Sequence, residues 1–341
     1  MKVSRFALGL ALGKLVLELA GLRKRTQLRG ATAVVCGASR GLGRAIALEL
    51  VRRGVDKIAI CARTEEDLDA FAAELVERGV HVVAERCDLS SPGEVERFID
   101  DAGVELGPID VLVTNAATIT VGPIGAWTRA DFEEAHANVF RSTLHPVLAV
   151  APLMRARGKG TIAMVTSIGA RVGVPHLAPY CAAKFATMGL AESIRPELAL
   201  DGVNVLTAVP GLMRTGSFKH AQFKGDHDLE YAWFGAATSL PLVTIDADRA
   251  ARRIVSGIAR GAIEVSFTPE ARLSPAVRTL MPKLWTEAMT LVARMLPRAP
   301  VASPTATERK PGTTIEREST SPVVAAIRRA GQPYAERHAQ T

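Results

Sequence analysis

Residues 31–46 read ATAVVCGASRGLGRAI, an apolar run that breaks into a glycine-rich loop and then into a helical pattern. A nearly continuous apolar run of this length marks a strand buried on both faces, and sheets of such strands are parallel and covered by helices on both sides. In Gly37-Ala38-Ser39-Arg40-Gly41-Leu42-Gly43 the glycines permit a tight turn and close backbone approach to a pyrophosphate. The helix that follows offers free N–H groups and the positive end of its dipole. A glycine pattern alone is weak. Here it follows a strand and opens a helix at the first β–α turn of the chain, which is the context that gives it meaning.

The same alternation runs on. Apolar runs recur at Lys57–Arg63, Val80–Asp88, Asp110–Ala117, Gly160–Ser167, Asn204–Gly211 and Ile263–Phe267, with helical patterns near 41–54, 65–79, 91–106, 128–156, 178–201 and 246–260. Strands that alternate with helices predict an α/β fold, a doubly wound parallel sheet of seven strands in a single domain over residues 30–267. The stretch Leu212–Leu240 breaks the pattern and carries Phe218, Phe223, Tyr231, Trp233 and Phe234. A connection of that length is usually functional, and it reads as an aromatic lid.

The chain has 341 residues, 48% of them hydrophobic, ample for a buried core. The net charge of +7 is uneven. Residues 1–30 carry +6, residues 31–267 carry −4 and residues 268–341 carry +5. No nucleic-acid-reading motif accompanies the basic ends, so no nucleic-acid partner is expected. The four cysteines, Cys36, Cys61, Cys87 and Cys181, form no C-x-x-C pair. Neither a metal site nor a disulfide framework is indicated, and a reducing, cytoplasmic compartment is expected.

The end of the second strand decides the cofactor. NAD-preferring sites often place an acidic residue there to bind the ribose 2′-OH. This chain has Ala62-Arg63, and Arg40 lies in the glycine loop. Two guanidinium groups suit a 2′-phosphate, so NADP(H) is favoured over NAD(H). Asp88, at the end of the third strand, is placed to accept from the adenine, and Asn115, at the end of the fourth, to hold the loops around the cofactor.

Tyr180-Cys181-Ala182-Ala183-Lys184 follows Ser167 by thirteen residues. A tyrosine and a lysine four apart share one helix face. An ammonium beside a phenol favours the phenolate, so Lys184 is expected to lower the Tyr180 pKa towards neutrality and make it a proton donor and acceptor. Ser167, at a strand end, could hold a substrate carbonyl against that phenol.

These residues resemble the classical short-chain dehydrogenase/reductase family over roughly residues 30–267. The landmarks are the Gly37–Gly43 loop, Cys87-Asp88-Leu89, Thr114-Asn115-Ala116-Ala117, Asn138, Ser167, Tyr180 with Lys184, and Pro210-Gly211 followed by Thr215. The resemblance implies a Rossmann-like sheet in the order 3-2-1-4-5-6-7 and a catalytic tetrad. Tyr180 would exchange a proton with the substrate oxygen and Ser167 would orient the carbonyl. Lys184 would bind the nicotinamide ribose, and Asn138 would hold a water in a proton relay through Lys184. Cofactor contacts would come from Gly37, Ser39, Arg40, Gly41, Leu42, Gly43, Arg63, Asp88, Leu89, Asn115, Ala116, Tyr180, Lys184, Pro210, Gly211 and Thr215. The family pattern also implies a homodimer or homotetramer. Cys36 stands where the family usually has Thr, Thr114 where Asn is common and Ala117 where Gly is usual. None of the three touches the tetrad.

Two ends lie outside that pattern. Phe6–Leu22 is almost wholly apolar and flanked by basic residues, so residues 1–29 read as an N-terminal helix at the lower length limit for a membrane span. Ala276–Leu296 places an apolar stripe with Trp285 opposite Arg278, Lys283, Glu287 and Arg294, an amphipathic helix within residues 268–297. Two readings stand for these helices: monotopic attachment at the cytoplasmic face of a membrane, or packing on the body or a partner subunit. Residues 298–341 turn to Pro, Ser, Thr, Arg and Glu and read as a disordered tail. The expected activity is NADP(H)-dependent hydride transfer between nicotinamide and a carbonyl or alcohol carbon of a lipophilic substrate, a steroid-, retinoid- or long-chain-type ketone or aldehyde. The alternatives are a 3-oxoacyl-thioester reductase of lipid or polyketide synthesis and, from another class, a non-catalytic NADPH-binding scaffold or sensor.

Overall fold

Seven parallel strands form the central sheet: β1 (Thr32–Cys36), β2 (Lys57–Ala62), β3 (His81–Arg86), β4 (Val111–Thr114), β5 (Gly160–Val165), β6 (Val203–Val209) and β7 (Glu264–Ser266). The computed structural model describes residues 25–239, 244–298 and 307–340. The sheet order is β7-β6-β5-β4-β1-β2-β3, the expected one. The chain starts at β1 in mid-sheet, winds outward to β3, then returns to β4 on the other side of β1. Register pairs Cys36 with Cys61 on β2 and with Thr114 on β4. A crevice opens at this reversal, beyond the carboxyl ends of the strands.

The pleat explains why β1 lacks alternation. Ala33 and Val35 face one layer, where they pack with Ile46 and Leu50 of α1 (Gly41–Arg52). That layer also holds Leu68, Phe71 and Leu75 of α2 (Glu65–Glu77). Val34 and Cys36 face the other layer, with Phe98 and Ala102 of α3 (Pro92–Leu106). Successive strand residues point to opposite faces, so a strand with helices on both sides must be apolar at every position.

The helical pattern over 128–156 is not one regular helix. It is α4 (Arg129–Ala135), a π-helical turn at His136–Arg141 and α5 (Ser142–Arg157). Wide turns of this kind occur frequently at functional sites, and Asn138 sits inside this one. Helix α6 (Ala178–Leu200) carries Tyr180 in its first turn. The lid contains short strands at Leu212–Arg214 and Gln222–Phe223, then α7 (His227–Ser239). Helix α8 (Ala247–Arg260) packs Ile254 and Ile258 into the α1 side of the core.

Two expectations about the ends change. Residues 1–24, with the apolar N-terminal segment, lie outside the described residues. The amphipathic stretch is two helices, α9 (Pro269–Leu280) and α10 (Pro282–Met295), because Pro282 cannot continue α9 and instead starts α10. Helix α10 buries no residue, and Leu280, Leu291 and Met295 are 80%, 60% and 81% exposed. Finally, the tail expected to be disordered is ordered over 307–340. Lys310–Pro311 pairs antiparallel with Gln222–Phe223, and α11 (Gly312–Glu318) and α12 (Pro322–Arg337) follow. Ile315 and Val324 join the lid's Phe218, Phe223, Tyr231 and Phe234 in one cluster. A few apolar residues suffice because the lid aromatics supply most of the buried surface. Arg309 ties this layer to α4, donating through Nε to Asp131 at 2.9 Å, while Lys224 Nζ holds the same buried carboxylate at 2.7 Å. Among the described residues, no helix is long and apolar enough to cross a membrane.

Candidate active site

The glycine loop is held from below and from the side. Gly37 N–H donates to the Cys61 carbonyl at 2.9 Å, and Asn115 Nδ2 donates to the Gly37 carbonyl at 3.1 Å. Helix α1 then begins with Arg40 at its N-cap, extended in backbone and making no side-chain cap. No side chain caps the helix start, but its first N–H, that of Gly41, donates to the His338 carbonyl at 2.8 Å. Gly43 cannot be anything larger: a Cβ there would stand 2.0 Å from the Gly37 carbonyl oxygen and 2.7 Å from Asn115 Nδ2. Ser39 and Leu42 are buried beside this turn, and Ala116 lines it next to Gly37.

Both candidate phosphate-binding arginines have partners. Arg40 Nε lies 3.5 Å from an Asp67 carboxylate oxygen, and its Nη1 lies 3.2 Å from His220 Nδ1. Arg63 reaches across the crevice, donating to Thr118 Oγ1 at 3.2 Å and Asn138 Oδ1 at 3.4 Å. Asp88 is turned towards its own loop and accepts from Ser90 N–H and Oγ at 2.9 and 2.8 Å. Burial pushes the Asp88 carboxyl up, but the two Ser90 bonds with Arg63 and Arg86 outweigh it and hold it below the ordinary value. Leu89 packs its side chain in the core while its carbonyl accepts from His145 Nδ1 at 3.1 Å.

The four tetrad candidates come from three elements. Ser167 follows β5 and its Oγ accepts from Gly169 N–H at 3.1 Å. Tyr180 is buried in the first turn of α6, and its ring edge and Ser167 Oγ both lie beside Gly169. Lys184, 2% exposed, lies one turn on, with Nζ 5.8 Å from the Tyr180 ring centre. Its Nζ donates to the Val165 carbonyl at 2.9 Å. The Asn138 carbonyl accepts from Ser142 Oγ at 2.8 Å, and its side chain meets Arg63. Across the crevice the Pro210 carbonyl accepts from Ile168 N–H at 2.8 Å, tying the Pro210-Gly211 strap to the Ser167 loop. Thr215 is buried, and its Oγ1 accepts from Ser217 N–H at 3.1 Å.

The phenol departs from expectation. Tyr180 is pushed up to about 12, because burial disfavours the phenolate more than the neighbouring Ser167 hydroxyl favours it. Burial also brings Lys184 down to about 8. The ammonium is aimed at the Val165 carbonyl and so does not offset the desolvation of its neighbour. Sequence spacing gave the shared face of the two residues but could not show how dry that face is.

Residues 31–224 match the family model for short chain dehydrogenases. The chain belongs to the short-chain dehydrogenase family. This dehydrogenase is 35% identical over 189 residues to a provisionally named ketoacyl reductase of Streptomyces coelicolor, spanning 54% of this chain and 70% of that one. It is 34% identical over 185 residues to the NADPH-dependent pterin aldehyde reductase of Arabidopsis thaliana, spanning 54% and 75% of the two chains. Among solved structures, a short-chain dehydrogenase/reductase from Burkholderia phymatum in complex with NAD superposes with a TM-score of 0.69 at 21% identity, covering 81% of this chain and 99% of that one. The dehydrogenase is an oxidoreductase of CH–OH and carbonyl groups.

Sequence reasoning missed one polar cluster under the lid. Glu230, fully buried, accepts from Trp233 Nε1 at 2.6 Å and lies 2.9 Å from His176 Nδ1. A lone carboxylate beside Tyr231, Trp233 and Phe234 was the available signal, since a buried charge demands partners. Residues 338–340 of the dehydrogenase also close over the glycine loop, which no motif announced.

Proposed function

We propose that the dehydrogenase uses NADP(H) to reduce the carbonyl group of a lipophilic substrate, with Tyr180 as proton donor. The observation that carries this reading is the pair of buried side chains Tyr180 and Lys184, one helical turn apart beside Ser167, at the carboxyl ends of the strands. The dinucleotide fits the site: Gly43 leaves backbone alone at the turn, and the start of α1 lacks a side-chain cap. When bound, the nicotinamide supplies or takes the hydride. Ser167 holds the substrate oxygen, and Tyr180 gives it a proton. Lys184 binds the ribose and, with a water on Asn138, returns the proton from solvent. Gly37, Ser39, Gly41, Leu42, Asp88, Leu89, Asn115 and Ala116 line the nucleotide side, and Pro210, Gly211 and Thr215 the nicotinamide side. A phenol near 12 keeps its proton at neutral pH, which suits reduction and disfavours the reverse oxidation.

The NADP(H) preference rests on Arg40 and Arg63 and on the lack of a carboxylate at the end of β2. A charge-assisted hydrogen bond contributes about 1.5–3 kcal/mol. Each of Arg40→Ala and Arg63→Ala is therefore expected to lower the kcat/KM preference for NADPH over NADH by roughly tenfold or more. An unchanged ratio in the double variant removes this assignment.

Support for a lipophilic substrate comes from the ends, not from the lid, whose aromatics pack on the tail. Helices α9 and α10 present Leu280, Leu284, Leu291 and Met295 to solvent beside basic residues, with Trp285 half-buried, which suits an anionic membrane face. Leu284→Glu with Leu291→Glu is expected to abolish cosedimentation with anionic phospholipid vesicles and leave turnover of a soluble carbonyl intact. Equal binding by the variant counts against a membrane role for these helices. A second reading, reduction of a 3-oxoacyl thioester, is favoured by the likeness to the Streptomyces ketoacyl reductase. Turnover of acyl-carrier conjugates with none of free ketones selects it.

A further inference from the structure

The residues after α12 run into the glycine loop. The His338 carbonyl accepts from Gly41 N–H at 2.8 Å, and Gly41 is the first residue of α1. An amide at that helix start is one of the groups a pyrophosphate would use. Gln340 follows it in: a Cβ on Gly41 would stand 2.5 Å from Gln340 Nε2. The Gln340 carbonyl lies 3.2 Å from His220 Nε2, and His220 Nδ1 lies 3.2 Å from Arg40 Nη1. Residues 338–340 thus take up one phosphate-facing amide and, through His220, one of the two arginines assigned to the 2′-phosphate.

This seat is built by close packing rather than by chance contact. Helix α12 packs on α7. Its Gly331 lies so near the lid that a Cβ there would meet Phe218 Cζ at 2.4 Å. Lys219 Nζ donates to Gln332 Oε1 at 2.8 Å, and Gln340 N–H donates back to the Ala335 carbonyl at 2.8 Å. His338 and Gln340 are 3% and 7% exposed. The backbone of both residues is hydrogen-bonded in the seat, while the buried His338 Nε2 has no hydrogen-bond partner there.

We propose that the glycine loop binds two ligands in mutual exclusion, the pyrophosphate of the dinucleotide and the chain's own residues 338–340. The proposal rests on the reading of this loop as the cofactor site. The lid-packed body of α12 stays in place, and only the residues beyond Arg337 leave when the cofactor enters. The apparent affinity for a ligand falls by the fraction of molecules whose site is open. A tail seated about nine-tenths of the time therefore weakens NADPH binding about tenfold.

Two measurements on the full-length protein and on a variant ending at Arg337 test this. NADPH affinity is followed by nucleotide fluorescence, and the release of C-terminal residues by carboxypeptidase is followed by mass spectrometry. The shortened variant is expected to bind NADPH about tenfold more tightly, and saturating NADPH is expected to speed carboxypeptidase trimming of the full-length chain several-fold. The second measurement needs no variant and so survives a shortened chain that folds poorly. Equal affinity in the two proteins, with trimming unchanged or slowed by NADPH, overturns the exclusion while leaving the cofactor site intact. Binding of neither NADPH nor NADH by either protein overturns both the exclusion and the reading it rests on.

Discussion

Tyr180→Phe is expected to lower kcat for carbonyl reduction by between about 10²- and 10⁴-fold, the usual contribution of a positioned proton donor. The substitution removes one oxygen from a buried ring and leaves the packing of α6 intact. NADPH affinity should hold, because the ring's neighbours Ser167 and Lys184 remain. Its companion prediction concerns pH. Lys184 sits at about 8, so it is protonated below that value and neutral above it. If the ammonium serves the relay that returns a proton to Tyr180, wild-type reduction slows as pH rises through about 8. Lys184→Met should be slow throughout and lack that limb. A Tyr180→Phe enzyme that keeps more than a tenth of wild-type kcat removes Tyr180 from the proton path.

Gly43→Ala is the second large effect. The added methyl would overlap the Gly37 carbonyl oxygen at 2.0 Å, and both groups belong to the backbone turn, so neither can swing aside. The loop must open, which breaks the Asn115 bond to Gly37 that ties β4 to the glycine loop. The expected cost is about 2–4 kcal/mol of stability, in the upper range for a single change, because it strains backbone instead of a side chain. NADPH affinity should fall by roughly 100-fold, since the amides that face the pyrophosphate move together. Thermal unfolding and nucleotide fluorescence read the two quantities separately. A variant that melts and binds like wild type contradicts the tight turn.

Much of this molecule is legible in its residues. The unbroken apolar run of β1, with Ala33 and Val35 on one face and Val34 and Cys36 on the other, requires two helical layers. Gly37 to Gly43, Asn115, Ser167, Tyr180 and Lys184 lie at the carboxyl ends of the strands because strand–loop–helix order puts them there. The failures share a physical cause. Periodicity reports which side of an element is apolar, not what covers it. The tail looked too polar to fold because its few apolar residues, Ile315 and Val324 among them, complete a cluster whose bulk lies a hundred residues away. The Tyr180 pKa went the other way because desolvation is a property of the packed site, invisible in a four-residue spacing. Pro282 was visible and cuts the amphipathic stretch in two.

The central claim is tested most directly by NADPH oxidation with the purified full-length protein in detergent, against carbonyls of graded apolar length, with Tyr180→Phe as control. The account predicts turnover that rises with apolar length and disappears in the variant. Faster turnover of short polar carbonyls, or equal rates in the two proteins, would contradict it.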